Sequence, residues 1–372
     1  VIDEILVTAT KRATSLQDTP MSISALGSDT IEKRGLVGMD DYLRTVPGVS
    51  FQDRGAGQNS IVMRGIAVSP QTENEAVGVY YGETPIAGLS NAGNGGGGGN
   101  LDIKLVDIER IEVLRGPQGT LYGSGSMGGT VRVIPKAPNL QDVEGSISGR
   151  FSNTSEEGDN NTMIQGVINV PLIEDTLAMR AVAYQFDNSG YIKNVAGGDD
   201  PVVDAALAGG KAFGGLARNV DGIGSDEYTG FRLSTLWQAS EQLDVTLTYT
   251  NQEIEQLGWP EVNLAFGEFE QARLAVRDGQ NEGLSNEVDI INLTANYRNE
   301  WGTFTSSSSW IDYDQLSRFD LSFLFGAPVD TEGRKVVENF VQEFRFSSDF
   351  DGPMQVLAGL YYEDRESSRD FE

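Results

Sequence analysis

Gln242-Leu243-Asp244-Val245-Thr246-Leu247-Thr248-Tyr249-Thr250 decides how the second half of this chain folds. Leu243, Val245, Leu247 and Tyr249 fall on one face, and Asp244, Thr246, Thr248 and Thr250 on the other. That is the period of two of an extended strand with one apolar and one polar face. The pattern returns on both sides of this stretch. Phe340, Phe344 and Phe346 oppose Asn339, Glu343, Arg345 and Ser347, while Ile291, Leu293, Ala295 and Tyr297 oppose Asn292, Thr294 and Asn296. The spacing predicts about nine strands, near 145–153, 162–173, 177–187, 227–239, 242–254, 287–299, 302–316, 337–349 and 354–366.

The connections sort by length. Ile173 to Thr176, Ala239 to Glu241, Glu300 to Trp301 and Phe350 to Pro353 are tight, whereas 188–226, 255–286 and 317–336 are long, polar and Gly-rich. Only 154–161 is a modest outer connection. Short turns alternating with long loops are the plan of a transmembrane β-barrel, with the short turns in the periplasm. Trp237, Trp301, Trp310, Tyr361 and Tyr362 stand near strand ends, where interfacial girdles lie. Nine strands do not close such a wall: lipid leaves no edge satisfied, and single-chain bacterial barrels use an even number. The strands are expected to be part of a plugged barrel of roughly 22. Further C-terminal strands are therefore expected beyond Glu372.

Composition narrows the function. The 372 residues carry a formal charge of −28 and contain neither Cys nor His. Nucleic-acid binding is disfavoured, since phosphate contacts need a basic surface. Metal sites built on thiolate or imidazole are excluded, as are catalytic centres that use Cys or His. No cofactor and no catalytic residue is expected. The charge is uneven: residues 1–139 hold 12 Lys and Arg against 15 Asp and Glu, and the remainder 15 against 40. A boundary near residue 140 follows. No run of about 18 apolar residues offers a membrane helix, and the sequence contains no basic-plus-apolar signal peptide. The start at Val1 leads us to expect a processed or truncated N-terminus.

Residues 1–139 lack the loop alternation and read as a small α+β domain. Ser28 or Asp29 is the expected cap of one helix, with Glu32 in its first turn. Met39 to Val46 is a second helix, stopped by Pro47-Gly48. Strands are expected at Val49 to Phe51, Ser60 to Met63, Val77 to Tyr81, Ile111 to Leu114 and Thr130 to Ile134.

Here the residues become recognisable. Leu43-Arg44-Thr45-Val46-Pro47-Gly48-Val49, Ile61-Val62-Met63-Arg64-Gly65 and Ile108-Glu109-Arg110-Ile111-Glu112-Val113-Leu114-Arg115-Gly116-Pro117 follow in order. Gln118-Gly119-Thr120-Leu121-Tyr122-Gly123 and Gly128-Gly129-Thr130-Val131-Arg132-Val133-Ile134-Pro135-Lys136 continue the last of these. The series resembles the plug domain of TonB-dependent outer-membrane receptors. The resemblance covers the whole plug and, more loosely, the barrel strands. One departure is Tyr81-Gly82-Glu83-Thr84-Pro85, where the family often has an Asp-Gly pair before Val-Pro. Contacts carried over from that turn are unsafe.

The resemblance implies three segments: a TonB box in 1–12, a plug in 13–139 and barrel strands in 140–372. Asp3-Glu4-Ile5-Leu6-Val7-Thr8-Ala9 looks like the box, the segment that hangs into the periplasm and pairs with TonB. β-Augmentation suits an extended, β-branched, weakly structured stretch such as Glu4, Ile5, Leu6, Val7, Thr8 and Ala9. The local pattern fits a first plug strand equally well; the position ahead of a plug favours the box. The family also implies that plug arginines lock onto barrel glutamates. Arg64 and Arg115 are the candidates here, with Glu343 one candidate partner. The bland alternative is that both arginines are simply solvated or cap strand ends.

Two motifs are set aside. Gly123-Ser124-Gly125-Ser126-Met127-Gly128 has the form G-x-G-x-x-G, but it leads into a strand rather than a helix, which excludes a dinucleotide fingerprint. The acidic pairs Glu156-Glu157, Asp199-Asp200 and Asp226-Glu227 sit at loops or strand ends and read as solvated charge. The flexible run Asn94 to Asn100 reads equally as an apical plug loop or a plain connection.

The function implied is energised uptake of a scarce, bulky nutrient across the outer membrane of a Gram-negative cell, with a ferric siderophore the expected ligand and TonB the expected partner. Ligand would rest on plug loops 52–60, 67–76 and 83–100, with Arg54, Gln58, Asn59, Tyr81, Asn94 and Asn100 as candidate contacts. Cobalamin, an oligosaccharide or another organic substrate is the alternative. A passive porin or adhesin barrel is disfavoured by the ordered motifs of 43–136.

Overall fold

A computed structural model of the chain describes residues 6–12, 14–53, 55–57, 59–66, 75–91, 98–155, 158–198, 217–275, 281–321 and 329–371. Its second half is one antiparallel sheet of nine strands. These are β12 (Glu144–Asn153), β13 (Asn160–Ile173), β14 (Leu177–Asn188), β17 (Ser225–Gln238), β18 (Leu243–Leu257), β20 (Gly283–Asn299), β21 (Gly302–Asp320), β22 (Asp330–Ser348) and β23 (Leu357–Phe371). Each pairs with the next along the chain. Most strands run a few residues further toward the long loops than periodicity shows, because pairing continues after the apolar alternation has stopped. Three short strands from those loops, β15 (Ile192–Asn194), β16 (Val220–Ile223) and β19 (Glu270–Gln271), form a separate sheet ordered β16-β15-β19.

The alternation sets inside from outside. Phe231, Leu247, Ile291, Phe304, Trp310 and Phe344 are exposed on the convex face, forming an apolar belt for lipid. The concave face was expected to be polar, yet Val288, Ile290, Ile311, Tyr313 and Val337 are buried on it. They belong to the main hydrophobic cluster of the N-terminal domain. The lumen is filled by protein, so apolar inward positions are paid for by packing rather than penalised by water.

That filling domain is built from β1 (Leu6–Val7), β2 (Thr14–Ser15), β3 (Ile23–Gly27), α1 (Ser28–Arg34), α2 (Met39–Leu43), β4 (Val49–Asp53) and β5 (Asn59–Met63). It continues with β6 (Val77–Tyr81), β7 (Thr84–Pro85), β8 (Ser90–Asn91), β9 (Gly98–Gly99), β10 (Ile108–Arg115), α3 (Gly119–Tyr122) and β11 (Gly129–Pro135). The central sheet is ordered β3-β10-β11-β6-β7, with only β11 and β6 parallel. The five strands expected from sequence are present; β2, β3, β7, β8, β9 and α3 are additional. Gly27, not Ser28 or Asp29, caps α1, and the cap makes no side-chain bond. Asp29 instead pairs with Lys33 one turn on, at 3.0 Å. Gly35 closes the helix in the left-handed conformation, at φ 63°.

Candidate functional site at the plug–barrel seam

The N-terminal segment does not hang free. Leu6 and Val7 pair with Ser15 and Thr14. Val7 and Ala9 lie on the same side of the extended chain and are buried against Tyr80, Leu114 and Tyr122. Thr8 between them turns the other way. Its N–H donates to Glu112 Oε1 at 2.8 Å, and its hydroxyl accepts from Arg132 at 2.6 Å and Arg110 at 3.1 Å. The Tyr122 hydroxyl donates to the Ala9 carbonyl at 2.8 Å. Burial raises the Tyr122 phenol above its ordinary range, so it remains a donor.

Lys11 follows in the left-handed conformation, at φ 58°, which is uncommon for a residue with a side chain. The turn aims its ammonium into the seam. Lys11 Nζ lies 3.0 Å from Glu83 and 3.4 Å from Glu343, with the Tyr122 ring centroid at 4.9 Å. Glu83 is the hub. It also accepts from Arg132 at 3.0 Å and Arg345 at 3.2 Å. Burial alone would raise the Glu83 carboxyl; Lys11, Arg132 and Arg345 reverse this and hold it well below the usual carboxylate range. Arg132 pairs with the fully buried Glu112 at 3.0 Å, and Arg345 with Glu343 at 2.8 Å. One ionic network therefore joins N-terminal segment, plug sheet and barrel wall.

A second anchor lies across the plug. Asp107 takes a bidentate pair from Arg180, at 2.7 and 2.6 Å, and a third bond from Arg232 at 2.8 Å. Arg232 also donates to the Val106 and Asp107 carbonyls and to the Tyr81 hydroxyl, the last at 2.6 Å. Above it, Tyr228 donates to Asp102 at 2.6 Å, and Gln252 bridges Tyr184 to the backbone of Lys104. The long-loop end is tied separately. Asp320 accepts from the Ala275 N–H and donates its own N–H to Glu282, while Trp259 stacks on Phe319 at 4.4 Å. Burial pushes the Glu282 carboxyl up to about 7.

Several expected site residues stand elsewhere. Glu343 does reach across the seam, but to Lys11, not to Arg64 or Arg115. Arg115 donates to the Pro47 carbonyl at 2.9 Å, and the Arg64 guanidinium lies against Gly116. Neither arginine has an ion pair among the described residues, and Glu343 is held by Lys11 and Arg345. Tyr81 is buried against Arg232 rather than presented to a ligand. Asn59 and Asn100 are buried neighbours joined by an N–H···O bond of 2.9 Å. Arg54, Gln58, Asn94, Glu4 and Ile5 lie outside the described residues, as do 67–74 and the pairs Glu156-Glu157 and Asp199-Asp200. Asp226 is half-buried and held by Asn188 at 2.7 Å, while Glu227 is exposed, as expected of solvated charge, and bonds Gln185 at 2.7 Å. Lys11, Glu83, Asp107, Arg180 and Arg232 escaped the sequence reading. A signal did exist, since Asp107 directly precedes the Ile108-Glu109-Arg110 motif.

The profile of the TonB-dependent receptor plug domain matches residues 15–130. The chain belongs to the TonB-dependent receptors. This receptor is 27% identical over 201 residues to the pesticin receptor of Yersinia pestis, covering 53% of this chain and 27% of that protein. It is 30% identical over 264 residues to a probable TonB-dependent siderophore receptor, PirA, of Acinetobacter baumannii, covering 66% of this chain and 31% of that one. Its fold matches the ferric yersiniabactin uptake receptor FyuA of Yersinia pestis with a TM-score of 0.72 at 19% identity, over 94% of this chain and 49% of that one. The receptor chain thus spans about half the length of that solved structure and under a third of those curated relatives. Its place is the outer membrane of a Gram-negative cell.

Proposed function

We propose that this receptor chain takes part in TonB-energised uptake of a ferric siderophore, with 1–12 as the TonB-contacting segment, 13–139 as the stopper and 140–372 as wall. The observation that carries the reading is the Lys11–Glu83–Glu343 junction, which ties the N-terminal segment to both stopper and wall. A pull on that segment acts first on the plug sheet through Thr8, Glu112 and Arg132. Ligand resting on the apical loops would loosen the seam and free residues 4–9 for β-augmentation. Siderophore is preferred because pesticin, ferripyoverdine and PirA-type receptors recur among the relatives. Cobalamin, an oligosaccharide or another organic nutrient is the second reading.

Deleting residues 3–9 of the full-length receptor should abolish uptake and spare ligand binding. Unchanged uptake would sink the proposal. Growth under iron limitation, with and without the gene, separates iron chelates from the second reading.

A further inference from the structure

The lipid-facing wall is not uniformly relieved. Facing outward across β20 to β23, paired residues form rows. One row reads Tyr297, Phe304, Phe346 and Ala358, and the next reads Ala295, Ser306, Phe344 and Leu360. Ala295 and Ser306 are directly paired. Two small side chains therefore sit side by side where their neighbours are aromatic. The result is a groove of about 460 Å³ with Ala295 and Ser306 in its floor and Tyr297, Phe304, Phe344 and Phe346 as walls. Phe304 and Phe346 brace each other at 4.6 Å between ring centroids.

The Ser306 hydroxyl oxygen is engaged within the belt. It accepts from Gln342 Nε2 at 3.3 Å, and Gln342 is bonded in turn by Ser308 at 2.5 Å. The floor is thus chemically quiet, as a hydrocarbon-facing surface requires. The groove also has a defined height. Tyr297 and Phe304 flank the Asn299–Gly302 turn, and Phe346 is two residues before the end of β22. That is the short-turn, periplasmic end. Trp301, more than half exposed at the turn itself, marks the water boundary there.

We infer that this groove is a lipid site, holding one acyl chain of a diacyl phospholipid drawn from the periplasmic leaflet. A chain lying in the groove touches wall on three sides. Over the flat parts of the belt it touches one side only. Dispersion contacts add with number, and a left-empty groove would forfeit them. The same relief gives nothing to a flat protein surface.

The test uses the full-length receptor, extracted in detergent, delipidated by washing and weighed intact by native mass spectrometry. The wild type should keep one phospholipid per receptor. Ser306→Phe and Ala295→Phe, which fill the floor, should each lose it. Thr235→Phe, which adds a ring to the outward face of β17 away from the groove, should keep it. Heat-modifiable gel migration reports that each variant has folded. A wild type that keeps no lipid, one that keeps lipopolysaccharide instead, or filled variants that keep as much phospholipid as the parent would each overturn the inference.

Discussion

Lys11 and Glu343 meet at 3.4 Å although 332 positions separate them, and their contact, beside the bond from Arg12 to the Val356 carbonyl at 2.6 Å, ties the start of the chain to the barrel wall. The Lys11 ammonium is almost wholly buried, with Tyr80 and Tyr122 beside it. A buried ammonium needs paired carboxylates, and removing one partner leaves charge stranded. The segment carrying Val7 and Ala9 is therefore held by electrostatics at one end and by apolar burial at the other.

Lys11→Met should release the segment without unfolding the plug. It leaves Glu83 with Arg132 and Arg345 but frees Glu343 from the N-terminal strand. Breaking such a contact costs about 3 kcal/mol, or on the order of a hundredfold in local opening. Hydrogen exchange at Val7 to Ala9 should accelerate by that factor while β10 and β11 stay protected. Equal protection in both proteins would show that burial alone holds the segment.

The same network fixes an acid limit. Glu83 is held below the usual carboxylate range, so its contribution is complete above the unfolded value of 4.5 and falls away as pH drops toward the depressed folded value. The urea midpoint of the plug should be level from pH 7 to about 5 and decline below that. Glu83→Gln should be weaker at neutral pH and lose much of that decline. A parallel decline in parent and variant would place the acid sensitivity elsewhere.

Glu75 should behave with the opposite sign. It is buried, Oε1 has no hydrogen-bond partner, and burial raises its carboxyl to about 7, against a smaller lowering from Lys335. A raised acid favours the folded state below the unfolded value, and that advantage disappears as pH climbs from 4.5 to about 7. Glu75→Gln should therefore stabilise the plug above pH 7 by up to about 3 kcal/mol and flatten the profile between those limits. The urea midpoint measured at pH 5 and pH 8 decides it; a variant weaker than the parent at pH 8 defeats the prediction.

These two carboxylates also show what sequence can and cannot disclose. The wall was legible because inside and outside alternate along every strand, so Leu243 to Tyr249 declares its own face. The plug was legible through ordered motifs. The network was not. Lys11 with Glu83, Arg232 with Asp107 and Lys11 with Glu343 are separated by 72, 125 and 332 positions, and no local periodicity connects them. The sheet of β15, β16 and β19 was hidden for the same reason, since each strand is only two to four residues long. One clue was present in Tyr81 to Pro85, the turn that departs from the family pattern, because Glu83 stands in it.

Asp107 should prove the stronger plug anchor. Asp107→Ala removes three charge-assisted bonds. It leaves Arg180 with Glu144 at 2.8 Å and Arg232, buried in the seam, without a carboxylate among the described residues. Asp107 also sits at φ 54°, a conformation that Asn tolerates better than Ala. Asp107→Asn should thus cost about 3 kcal/mol and Asp107→Ala a further ~1 kcal/mol. Both should loosen the stopper enough to raise entry of bulky antibiotics, Ala more than Asn. Unaltered permeability in both would assign the sealing role to the Glu83 side.

Gly230 tests whether the wall itself is fitted to the plug. It pairs directly with Tyr184, and a Cβ added at Gly230 would stand 2.1 Å from the Tyr184 ring. That ring cannot yield freely, because its hydroxyl holds Gln252, which in turn holds the Lys104 N–H and the Asp102 carbonyl. Gly230→Ala should push the ring out of place and cost about 1–3 kcal/mol through overpacking. The barrel should stay folded, since the backbone pairing is untouched, while the urea midpoint of the plug falls. Adding Tyr184→Ala to the same chain removes the clash but also the bond to Gln252. The double variant should therefore match Tyr184→Ala alone and not lie below it. If the two losses simply add, the glycine is not there to make room for the ring.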